Sequence, residues 1–121
     1  MYRHEVFQTY LQGKIAECQT KMQMLTMDDC QDEAVFAKIE GNIYEAFLAV
    51  FSAAKKIGKG DEEETKRFFR EKLMQIPRNW EMALECAERN SENGKAHVER
   101  IKLEAANAVR MEFERIWEGK E

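Results

Sequence analysis

The side chains able to do chemistry in this chain are few. There are two histidines, His4 and His97, and three cysteines, Cys18, Cys30 and Cys86. Helical di-metal sites use Glu-x-x-His pairs, which set a carboxylate and an imidazole one turn apart on the same helix face. Gly94 stands three residues before His97 and Arg100 three residues after it, so no such pair forms. Glu112, at the inner edge of the last apolar seam, is the one carboxylate expected to point inward, and near a bundle end it should reach water or an arginine. That inventory is too thin for a metal site. The cysteines show no CxxC or knuckle spacing, and an odd number of them suits reduced thiols in the cytoplasm. Cys18 falls on an apolar seam and should be inert. Cys30 stands near the start of a helix, where the dipole would lower its pKa, but no histidine lies near it in sequence to act as a base.

Larger constellations also fail on spacing. Nucleases of the HEPN type carry an arginine, a polar residue and a histidine four to six positions beyond the arginine. Arg89-Asn90 begins that pattern, but His97 comes too late. All-α nucleotide pyrophosphohydrolases pair two acidic motifs on facing helices around magnesium, and here Glu85 and Glu88 stand alone. Gly58-Lys59-Gly60 lacks the length and the preceding strand of a phosphate loop. No catalytic residue and no cofactor is therefore expected.

These residues must be carried by helices. The chain has 121 residues, is 44% hydrophobic and 35% charged, and contains 6 glycines and a single proline. That is too few breakers for an all-β chain and too much apolar content for a disordered one. One domain spanning 1–121 is expected. Phe7, Leu11, Ile15, Cys18, Met22 and Leu25 mark one helical face, and Phe36, Ile39, Ile43, Phe47, Val50, Ala54 and Ile57 mark a second. Asp28 or Asp29 offers the second helix an N-cap, and Gly58 is placed to end it in the left-handed conformation. Asp61 caps a third helix, with Glu64 completing the box. Its seam is Thr65, Phe69, Leu73, Ile76, Trp80, Leu84 and Ala87, and one phase runs through Pro77, which predicts one kinked helix in preference to two. Val98, Ile101, Ala105, Val109, Phe113 and Ile116 define the fourth. Short polar turns between long helices predict an all-α, antiparallel up-down-up-down four-helix bundle.

Charge is spread evenly. Residues 1–57 hold 6 basic and 8 acidic side chains, residues 58–121 hold 13 and 15, and the net charge is −4. The acidic run Asp61-Glu62-Glu63-Glu64 separates the two lysine and arginine clusters and would repel a phosphate backbone, so nucleic acid is not an expected partner. The most apolar stretch, Ile43 to Ala54, falls short of the ~20 residues of a membrane span.

One feature exceeds what a bundle requires. Tyr44, Leu48 and Phe51 form a second apolar line on the second helix, about 100° from its core seam, and Ala37 and Gly41 extend it toward a site of close approach. Either neighbouring helices cover both lines, or the second line is a surface for self-association, which Met22, Met24 and Met27 could join. The expected function is protein–protein contact, with a homodimer using Tyr44, Leu48, Phe51, Ala37 and Gly41. The alternative is a small ligand or metal held between helices where Pro77 opens room near Leu73 and Trp80.

Overall fold

The computed structural model describes residues 2–119; Met1, Lys120 and Glu121, the ends of the expected domain, lie outside the described residues. The chain forms α1 (Tyr2–Met27), α2 (Gln31–Ile57), α3 (Glu62–Gln75), α4 (Pro77–Arg89) and α5 (Asn93–Glu118). α3 and α4 together make one rod bent by only 12°, so the architecture is a four-helix bundle. The bend is small because Ile76 keeps helical angles (φ −58°, ψ −45°) and Pro77 occupies the first position of α4, where its fixed φ suits a helix.

The three turns between the rods share one geometry. After α1, Cys30 N–H donates to the Leu25 carbonyl (2.8 Å) and Asp29 N–H to that of Thr26 (3.1 Å). The same pair of bonds recurs from Gly60 to Lys55 and Lys59 to Lys56, and from Glu92 to Ala87 and Ser91 to Glu88. This is the Schellman closure, which needs a left-handed residue just past the helix. Asp29 (φ 62°), Lys59 (φ 54°) and Ser91 (φ 56°) supply it.

Two sequence expectations are corrected here. Gly58 is not the left-handed residue; it keeps φ −78°. A Cβ there would lie 2.9 Å from both N and Oγ1 of Thr65, so glycine is required because the first turn of α3 presses against it. The N-cap of α2 is Cys30, with no side-chain bond, in place of an aspartate. Asp29 cannot serve, because its backbone is used in closing α1. Asp61 does cap α3, accepting from Glu64 N–H at 2.9 Å. Glu64 itself turns to Arg67 at 2.5 Å.

α2 is the central rod, packed by α1, α3 and α5, while α4 leans mainly on α5. The large core side chains gather in one half of the bundle. Phe7, Phe47, Phe51, Phe69 and Val109 are fully buried, and Phe113 nearly so. Phe7 meets Phe51, Phe69, Phe113 and Trp117 edge to face, with centroids 4.9–5.6 Å apart. Such contacts add about 0.5–1.5 kcal/mol each beyond area burial. His4 closes that end against Phe51 and Trp117. In the other half the buried residues are smaller: Cys18, Ala34, Ala37, Ala87, Ala96 and Ala105.

Candidate functional site

The uneven core opens a cleft. α1 and α5 meet where Phe7 packs on Phe113 and where the Tyr10 hydroxyl donates to the Ala108 carbonyl at 3.3 Å. Beyond that bond the two helices part, and the space between them is floored by α2. Ala37 and Tyr44 of α2 and Ala105 and Ala108 of α5 form the floor, with Leu25, Phe36 and Ile101 as half-buried walls. This part of the cleft measures about 630 Å³. It continues along α1 past Lys21, Leu25 and Glu40 into a groove of about 720 Å³ edged by Gly13, Glu17, Thr20 and Met24. From Gly13 to Asp28 this groove, lined by α1 and Glu40, follows α1 for about 22 Å at 1.5 Å per residue.

Its position follows from helix phase. Gly41 lets α1 come close to α2, since a Cβ at 41 would lie 3.1 Å from the Cys18 Cβ. α1 is thereby held to one side of α2, and α5 packs on another. Small residues on the floor leave the gap unfilled.

The rim is acidic. Glu33, Glu40 and Glu104 surround it with Lys21 and His97. Among the described residues none of those three glutamates forms an ion pair, as is also true of Glu5, Glu45, Glu63, Glu71, Glu81 and Glu85 outside the cleft. His97 stacks edge-on against Phe36 with centroids 4.5 Å apart. On the floor, Tyr44 is only 2% exposed. Burial, reinforced by Tyr10 and Glu40, pushes its phenol far above the ordinary range, so it stays a neutral donor. Among the described residues its hydroxyl has no hydrogen-bond partner. The Tyr44 ring is buried, but solvent reaches the hydroxyl oxygen through the cleft, so that hydroxyl is free to donate to whatever enters there.

The residues singled out from sequence are distributed as follows. Ala37, Gly41, Tyr44 and Phe51 are buried within the single chain and Leu48 is half-buried. Phe51 faces His4, Phe7, Phe69 and Trp117, and Gly41 faces Cys18; of the whole line, Ala37 and Tyr44 line the large cleft. Met24 and Met27 are 59% and 85% exposed. Cys18 is buried and its thiol is raised by that burial. Cys30 runs against expectation: desolvation with Glu33 and Asp28 beside it raises the thiol, and these outweigh the helix start. Glu112 bonds Arg115 at 3.0 and 2.5 Å, which holds its carboxyl below the usual range. His4 and His97 lie at opposite ends of the bundle, and among the described residues no three His, Cys, Asp or Glu side chains converge to hold a metal. At Pro77 a shallower cleft of about 400 Å³ is lined by Leu73, Met74, Glu81, Leu103, Asn107 and Arg110; Trp80 is not among its walls. No described helix is long and apolar enough to cross a membrane.

The rim of the large cleft was not found from sequence. Lys21, Glu40, His97 and Glu104 sit on three helices, and only their relative rotation brings them together. No family model, curated protein or solved structure matches the chain.

Proposed function

We propose that this protein acts by protein–protein contact and associates with itself, using the cleft between α1 and α5. The observation that carries this reading is the cleft itself: half-buried Leu25, Phe36 and Ile101 stand above a floor of Ala37, Ala105 and Ala108, with the Tyr44 hydroxyl open to an incoming group. The groove that adjoins it along α1, about 22 Å long, has the length of a helix site. The tyrosine line expected to mediate contact enters this reading only through Tyr44 and Ala37. Three free thiols, Cys18, Cys30 and Cys86, support a reducing compartment such as the cytoplasm.

The second reading, a small ligand near Pro77, is favoured by the 400 Å³ cleft there. Its cation is already engaged, since Arg110 bonds Glu114 at 3.1 Å and Asn107 at 2.6 Å. Native mass spectrometry of the reduced protein tests both. The expected species is a dimer at twice 14.2 kDa with no adduct. A monomer carrying a reproducible extra mass overturns self-association and favours the Pro77 site.

A further inference from the structure

We infer that the occupant of the cleft is the second half of α1 from a second copy of this chain, lying antiparallel to α1 with Lys21 of each copy beside Glu17 of the other. This rests on the self-association reading and specifies the surface.

Charge and shape of the segment carry the inference. Residues 18–27, CQTKMQMLTM, contain one charged side chain, Lys21, and three methionines. An apolar helix edge suits the walls of Leu25, Phe36 and Ile101, and its one cation meets Glu17 at the edge of the adjoining groove. The side chains this segment keeps outside its own bundle suit the purpose. Met24 and Met27 are exposed, and methionine adapts to irregular surfaces. Thr20 and Gln23 are exposed as well, and each is able to pair a hydroxyl such as that of Tyr44.

Register follows from the charges. An antiparallel pair that sets Glu17 against Lys21 twice also sets Lys14 opposite Met24 and Gly13 opposite Leu25. Nothing lies within 4 Å of a Cβ placed on Gly13, so an open notch stands where the Met24 and Leu25 turn of the second copy arrives. In the single chain Glu17 reaches only Lys14, at 4.0 Å, and Lys21 pairs with no described carboxylate. The same register brings Met27, the last residue of α1, level with Leu11. There the cleft closes at the Tyr10–Ala108 bond.

Sedimentation equilibrium of four variants beside the wild type tests this. Met24→Lys sets a lysine against Lys14 of the other copy, twice over, in an apolar contact and should weaken dimerisation about a hundredfold. Glu17→Lys opposes two lysines and should weaken it about tenfold. Adding Lys21→Glu to Glu17→Lys restores opposite charges and should recover most of that loss. Met82→Glu, on an exposed α4 position away from the cleft, should leave the dimer intact. A wild-type dimer indifferent to Met24→Lys and Glu17→Lys overturns this surface and leaves self-association standing. Recovery failing in the double variant overturns the register. A wild-type chain monomeric at every concentration overturns the surface and self-association together.

Discussion

His4 shows how one buried side chain couples the fold to pH. It is 7% exposed, its Nε2 has no partner among the described residues, and it sits between Phe51 and Trp117. Burial lowers its pKa below the ordinary 6.5, with Lys55 acting in the same direction and Glu62 and Asp61 opposing. A histidine whose folded pKa lies below its unfolded value binds protons better when unfolded. Its stabilising effect is therefore complete above about pH 6.5 and declines as pH falls toward the folded value. Glu62 and Glu112, both lowered from 4.5, act only in a more acidic window. Urea unfolding of the wild type should thus show stability falling as the pH drops below about 6.5. His4→Phe, which keeps an aromatic ring in the cluster, should flatten that slope. An unchanged slope in His4→Phe would remove His4 as the cause.

At the scale of elements, the turns explain which sequence signals were readable. Helix phase was legible because apolar spacing reports it directly: Phe7, Leu11, Cys18, Phe47, Phe69, Val109 and Phe113 are all buried as their periodicity implies. The Gly58 turn was misread, because a glycine after a helix has two distinct uses. Here it allows close approach to Thr65, and Lys59 takes the strained left-handed position. The two uses predict opposite responses. Lys59→Gly should raise stability by about 0.5–1 kcal/mol by relieving that backbone. Gly58→Ala should lower it by about 1–3 kcal/mol, since its Cβ meets backbone that only a shift of α3 can clear. Denaturant midpoints at one fixed protein concentration check both. Were Gly58 the left-handed position, Lys59→Gly would give no gain.

Apolar phase carries no information on depth along the bundle, and at whole-molecule scale burial varies along the seams. Ile15, Met22, Leu25, Phe36, Ile39, Leu84, Val98 and Ile101 have the right phase but are only half-buried, while Ile57, 57% exposed, is the last residue of α2 and lies at the His4 end. Periodicity says which way a side chain points. It does not say whether another helix stands there at that height, which depends on how far neighbours splay. The second apolar line of α2 is the converse case, wide because three rods contact this helix. The molecule is therefore asymmetric along its axis, with aromatic packing at the His4 end and an alanine-floored cleft at the other. Local opening should follow the same gradient. In hydrogen exchange, amides around Leu11, Phe51, Phe69 and Phe113 should be the slowest. Those of residues 20–27 and 97–104 should exchange at least about tenfold faster in dilute protein. As protein concentration rises, the fast set should slow while the aromatic end stays unchanged, because only the cleft half gains cover from a second copy. Slowing at the aromatic end instead would place the contact there, and fast exchange at every concentration would mean that the cleft stays empty.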